Sequence, residues 1–218
     1  MIGTPTINYY DPSRNLEWNQ IDFDLVKRDY KTFLEKGYNV DYQHEFDLTV
    51  DDMTLPENTG YFWQVIPLML KGKPLDLMPE EVQNCDTVKM LQNQSVLPLV
   101  AVFSILEPNS QIDPHRDADD ELVYNSRHLP LSKRKDHVVK YHLGIDVPEM
   151  CGLSVGGERR TLRNHTLNVF NETQEHYAWN QSNQRRGVLI VSYLHNDIFP
   201  VDQHLTVQRR RYKWGIKE

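Results

Sequence analysis

From Leu97 onward the chain reads as a succession of short β segments, and this pattern constrains its fold more than any other feature. Leu97–Leu106, Val138–Val147, Leu153–Leu162, Leu167–Phe170, Tyr177–Trp179 and Gly187–Leu194 are rich in β-branched and aromatic residues. Turn-forming residues separate them, and Gly156-Gly157 divides the third into a hairpin. Strands this short and closely spaced suit a barrel or jelly roll of antiparallel strands.

The first half is mixed. Asp22 to Gly37 places Phe23, Leu25, Val26, Tyr30, Phe33 and Leu34 at helical spacing and ends on glycine. A second helix is expected from Pro79 to about Gln94, with Val82, Val88, Met90 and Leu91 inward. Between them, Gly60 to Leu70 has the aromatic and β-branched content of a strand. With 218 residues, one domain is expected: a mixed part at 1–95 packed on a β core at 96–200, then a basic tail at 201–218. The tail holds Arg209, Arg210, Arg211 and Lys213 and reads as a solvated last helix rather than a nucleic-acid arm.

Charge and composition restrict the partners. A net charge of -7 argues against nucleic-acid binding through bulk electrostatics. No apolar run approaches the length of a membrane span, and the N-terminal residues lack the layout of a secretion signal, so a cytoplasmic protein without membrane association is expected. Cys85 and Cys151 are too few for a disulfide framework and are expected to stay reduced.

The chemistry gathers in the β half. In Pro114-His115-Arg116-Asp117, His115 and Asp117 stand two apart, so in extended backbone their side chains leave on one face. His176 lies between two of the later strands and can reach the same place from a neighbouring rung. Two imidazoles and a carboxylate can form the facial triad that holds ferrous iron and leaves positions open for substrate and oxygen. Arg186 leads into the apolar strand Gly187–Leu194. A guanidinium there is costly to bury without an anion, and its fork matches a carboxylate, which implies an acidic co-substrate. Arg185 competes for that role, but strand neighbours face opposite ways, so only one of the two can point inward.

Five motifs in order, Phe103 to Pro108, Pro114-His115-Arg116-Asp117, Tyr141 to Ile145, Glu175-His176 through Trp179, and Arg186, resemble the aspartyl/asparaginyl β-hydroxylase family. The resemblance covers roughly Leu97 to Phe199 and implies a double-stranded β-helix, a cupin-like jelly roll, that uses Fe(II), 2-oxoglutarate and O2. It assigns His115, Asp117 and His176 as the catalytic metal ligands. It also assigns Arg186 and Ser104 to the distal carboxylate of 2-oxoglutarate, and His142 to the other end of that co-substrate. Lys140 stands where the family commonly has arginine, so its contact there would be a point charge rather than a fork. Read without the resemblance, Lys140 and His142 equally suit an ordinary polar pair on an edge strand, and Trp179 suits the core. A full triad with Asp117 resembles the ordinary hydroxylases of the family rather than its halogenases.

The link from Ala118 to Val139 is longer than the family's usual one. It suits a substrate-covering loop, with Arg127, His128 and Arg134 as contacts, and equally a disordered surface insertion. The implied reaction is hydroxylation of an unactivated C–H bond in an amino acid, a small molecule or a protein side chain. Two other classes fit parts of the sequence. One is a cupin-like metal- or ligand-binding module without turnover. The other is a divalent-metal hydrolase using Asp113, Asp117, Asp119, Asp120 and Glu121, which would leave Arg186 unexplained.

Overall fold

A computed structural model describes residues 8–12, 18, 21–41, 62–116, 138–172 and 174–194. Helix α1 (Phe23–Glu35) begins where the Asp22 carboxylate accepts from the Leu25 N–H at 3.0 Å. It ends in a Schellman turn: Gly37, at φ +70, and Tyr38 donate back to the carbonyls of Leu34 and Phe33. Val26, Tyr30 and Phe33 form its buried stripe, with Asp29 buried beside them.

The single helix expected from Pro79 to Gln94 is instead two, α2 (Glu80–Gln83) and α3 (Asp86–Gln92). Cys85 takes extended backbone between them, and its Sγ accepts from the Val88 N–H at 3.4 Å. The break gives α3 its own N-terminus, whose otherwise unpaired amides need an acceptor. Asp29 of α1 supplies it: the Thr87 N–H and hydroxyl both donate to Asp29 Oδ2 at 2.8 Å. This contact fastens the two helices together, and it required tertiary proximity that periodicity does not encode.

The strands are β1 (Tyr9–Tyr10), β2 (Val40–Asp41), β3 (Trp63–Leu70), β4 (Lys73–Pro74), β5 (Val100–Leu106), β6 (Ser110–His115), β7 (Val138–Asp146), β8 (Cys151–Val155), β9 (Glu158–Thr161), β10 (Leu167–Asn171), β11 (His176–Asn180) and β12 (Arg186–Leu194). All pair antiparallel. The large sheet runs β1-β10-β7-β12-β5-β3-β2, with β4 on β3, and the small sheet runs β6-β11-β8-β9. From β5 onward the chain passes repeatedly between sheets: β5 large, β6 small, β7 large, β8 and β9 small, β10 large, β11 small, β12 large. That winding is a double-stranded β-helix, the jelly roll expected from the sequence. No helix among the described residues is long and apolar enough to cross a membrane.

Alternate residues of the large sheet serve two cores. Phe103, Tyr141, Leu189 and Val191 face α1, α3 and Trp18, whereas Leu106, Val188 and Ile190 face Ile112, Leu153 and Ala178 of the small sheet. Burial on both faces explains why β12 is so continuously apolar. It also makes β7 an interior strand between β10 and β12, not the edge strand allowed for Lys140 and His142. The barrel interior is the second of these cores, and the polar residues of interest project into it.

Candidate functional site

His115 ends β6 and His176 begins β11, directly opposite one another. Ile112 pairs with Ala178, and the next pair is His115 with His176, so three steps on β6 answer two on β11. Regular alternation from Ile112 would turn His115 away from the barrel. The bulge restores it to the inner face. Pro114, which has no N–H to give a ladder, falls within this irregularity, a position that tolerates proline. Strand β6 was not foreseen from the sequence because Asp113 and Pro114 interrupt any alternating pattern.

The two rings lie 4.3 Å apart between centroids. His115 Nδ1 is 2.7 Å from the Asp113 carbonyl oxygen, and His176 Nδ1 is 2.9 Å from that of Gln174. A carbonyl only accepts, so each Nδ1 carries a proton, and Nε2 is the ring nitrogen left to face a metal. Backbone anchoring of this kind orients histidines that ligate metals. His176 is buried and His115 half-buried. Among the described residues no group of three or more His, Cys, Asp or Glu gathers as a metal site. Asp117 lies outside the described residues, as do the whole of the 118–137 loop with Arg127, His128 and Arg134, and the tail.

Arg186 opens β12 opposite Leu106, which in turn faces Trp63 of β3. The side chain is fully buried, and among the described residues Nε, Nη1 and Nη2 have no hydrogen-bond partner. Burial pulls its pKa down to about 10, opposed by Cys151 and Tyr30, so it remains a cation at neutral pH. A buried guanidinium left in this state costs several kcal/mol on the order expected for an unpaired buried ion, unless an anion joins it. Arg185 projects the other way, half exposed, with Nε 2.8 Å from Glu107 Oε1.

Ser104 shares the inner face of β5 with Leu106 and is fully buried. Its Oγ accepts from Trp63 Nε1 at 3.0 Å, which leaves the hydroxyl hydrogen to donate to another group. Trp63 was not singled out in the sequence; nothing distinguished it from other strand aromatics until β3 lay beside β5.

His142 projects from β7 between Asn168 and Ile190. Its ring meets Phe170 at 4.9 Å, and Phe170 meets His176 at 5.3 Å. A line of rings, His142, Phe170, His176 and His115, thus crosses from the large sheet to the small. Lys140, two residues earlier on the same face, has Nζ 3.3 Å from Glu172 Oε2. Ser192, opposite Lys140, donates its hydroxyl to the same oxygen at 3.4 Å. Glu172 was also missed, since an acid just after a strand normally reads as a solvated turn. Trp179, expected in the core, lies on the outer face of the small sheet, stacked across Gly152 with Arg159 4.4 Å over its ring. A side chain at Gly152 would collide with that indole.

A family model described as Aspartyl/Asparaginyl beta-hydroxylase matches residues 18–196, most of the chain. The chain belongs to the aspartyl/asparaginyl β-hydroxylase family. The family match takes in α1 and every strand from β2 to β12, and with them His115, Asp117, His176, Ser104, Lys140, His142 and Arg186. It therefore reaches well beyond the β half in which the sequence motifs lie. No curated protein matches. Solved structures that resemble the chain include the plu4264 protein from Photorhabdus luminescens, at 7% identity and TM-score 0.31, with 43% of this chain and 61% of that one covered. A predicted oxalate decarboxylase from Thermotoga maritima matches at 12% identity and TM-score 0.36, covering 61% and 80%. KdgF from Halomonas sp. matches at 10% identity and TM-score 0.36, covering 65% and 88%. The chain thus spans about three fifths of the Photorhabdus protein. Likenesses this distant say nothing of chemistry, and the jelly roll of this family member rests on its own strand order.

Proposed function

We propose that this member of the family is an Fe(II)- and 2-oxoglutarate-dependent dioxygenase that hydroxylates an unactivated C–H bond. The observation that carries the reading is Arg186, a buried cation with all three nitrogens unpartnered among the described residues, in the same barrel interior as two anchored histidines. A carboxylate-bearing co-substrate accounts for that arginine; a hydrolase site built only on acids and histidines does not.

In this reading His115 and His176 would hold the iron through Nε2, and Asp117, placed by the resemblance alone, would complete the triad. The iron and 2-oxoglutarate together would supply oxygen activation coupled to decarboxylation. The chain's own side chains do the positioning. Arg186 offers a planar fork to the distal carboxylate, and Ser104, its acceptor lone pair already engaged by Trp63, donates a hydrogen to the same group. His142 lies on the line of rings toward His176 and is placed to meet the opposite end. Val188, Ile190, Leu153 and Phe170 line the interior, keep water out and so strengthen each of these charge contacts.

The test is succinate formation from 2-oxoglutarate with ferrous iron and oxygen, run across a metabolite library. Wild-type protein should form succinate, and His115→Ala should form none above background. Absence of succinate with every candidate substrate overturns the reading in favour of a binding module or a hydrolase.

A further inference from the structure

We infer that Asn180 is a positioning residue for the co-substrate: its side chain aims the Arg186 fork by tying the small sheet to the backbone from which that arginine projects. The inference rests on the dioxygenase reading above and deepens it. Arg186 is fully buried, and among the described residues none of its side-chain nitrogens has a hydrogen-bond partner, so no hydrogen bond of its own fixes its direction. Its aim depends on where the start of β12 is held. Arg186 belongs to the large sheet and His176 to the small one. Ladder bonds run within each sheet, and the apolar packing between them is non-directional.

Asn180 supplies the missing direction. His176, Ala178 and Asn180 are the buried residues of β11, so Asn180 shares the inner face with a proposed metal ligand. Its Nδ2 donates to the carbonyls of Leu106 and Glu107, each at 3.0 Å, and of Gln184 at 2.7 Å. Leu106 stands opposite Arg186 in the ladder, and Gln184 precedes Arg186 by two residues. One amide thus holds both the backbone across from the arginine and the backbone leading into it. Its Oδ1 accepts from the Ser182 N–H at 3.1 Å, from Ser182 Oγ at 2.7 Å and from Cys151 Sγ at 3.2 Å. Every donor and acceptor of the carboxamide is engaged, so Asn180 has nothing to offer a ligand and its part is one of placement. Placement matters because 2-oxoglutarate has a limited reach: its keto-acid end must meet a metal held by His115 and His176 while its far carboxylate meets Arg186. A misplacement of about 1 Å in such a site costs on the order of a hundredfold. The tip of the β11–β12 turn is pinned separately, where the Asn109 N–H donates to the Ser182 carbonyl at 3.1 Å, so Asn180→Ala loosens the inner side of the turn without releasing its tip.

The experiment is anaerobic isothermal titration of the iron-loaded protein with 2-oxoglutarate and with 2-oxobutanoate, which has the same keto-acid head and no distal carboxylate. Wild type should prefer 2-oxoglutarate. In Asn180→Ala that preference should shrink by about tenfold or more, through weaker 2-oxoglutarate binding alone, because the histidines keep their own anchors at Asp113 and Gln174. A merely structural asparagine would move both keto acids together or neither, and either result overturns the inference. Should Asn180→Ala fail to fold, Ser182→Ala takes its place: it removes one bond to Asn180 Oδ1 from the half-buried turn and should lower the same preference by about twofold or more, the smaller scale of one hydrogen bond. An unchanged preference in Ser182→Ala then overturns the inference. Wild type that does not discriminate between the two keto acids instead removes the dioxygenase reading itself, and with it the role of Asn180 in aiming Arg186.

Discussion

Two cations project into one barrel interior and are treated in opposite ways. Lys140 is matched by Glu172 at 3.3 Å, with Ser192 holding the acid, whereas Arg186 is fully buried and its three nitrogens have no hydrogen-bond partner among the described residues. Folding completes the first site and leaves the second incomplete. The difference teaches where a ligand is required: an ion pair can be a finished piece of structure, but a stranded guanidinium stores a cost that only an incoming anion removes.

The comparison breaks most severely at Glu172. Glu172→Gln takes the carboxylate away from a poorly solvated Lys140, and chemical denaturation should show a loss of about 3–5 kcal/mol. The Lys140→Met, Glu172→Met double variant should lose much less, because it leaves no charge behind. Equal losses would mean that the pair is not the element that matters.

Arg186 should behave in the reverse sense. Arg186→Met removes a cation that has no partner, so the ligand-free protein should gain about 1–4 kcal/mol, while titration calorimetry should find 2-oxoglutarate binding lost. A destabilised Arg186→Met protein would show that the arginine is already compensated by something else.

Alkaline pH sharpens the same contrast. Arg186 has a folded-state pKa of about 10, pulled below its usual 12.5 by burial. Above roughly the folded value the unfolded chain binds more protons than the folded one, so this group's contribution to stability rises with pH; below it, the penalty is present in full. Denaturation of wild type and Arg186→Met in parallel should therefore show their stability difference narrowing between pH 9 and 11. A constant difference would rule out titration of this arginine as the source.

The smallest expected effect is at the neighbour that orients Ser104. Trp63→Phe keeps most of the apolar contact but removes the N–H held by Ser104 Oγ, and 2-oxoglutarate affinity should fall by about 1 kcal/mol, the net worth of one hydrogen bond. Phenylalanine leaving the affinity unchanged would separate Trp63 from the anion pocket.

Much of the architecture was legible. Residue periodicity located α1 and nearly all the core strands, since apolar alternation and turn residues act over a few positions. The ordered motifs pointed to the family that the match over residues 18–196 then established. Strand β6 was invisible because its inner face is held by pairing with β11 rather than by its own pattern. The split between α2 and α3 was invisible for a related reason, as its acceptor, Asp29, comes from a distant helix. In the site, His115, His176 and Arg186 stood out by residue type and order, but Glu172 and Trp63 did not. Their roles arise from what packs against them.

By itself the sequence determined which segments extend, where they turn, and that two histidines and an arginine belong to one β framework; these follow from local conformational preference and hydrophobic spacing. The tertiary structure alone decided which way His115 faces, through a bulge counted against β11, and which cation is satisfied, through the meeting of β7, β12 and the residue after β10. Direction and compensation are relations between strands far apart in the chain, and charge pairing falls off too steeply with distance and burial to be read from order alone.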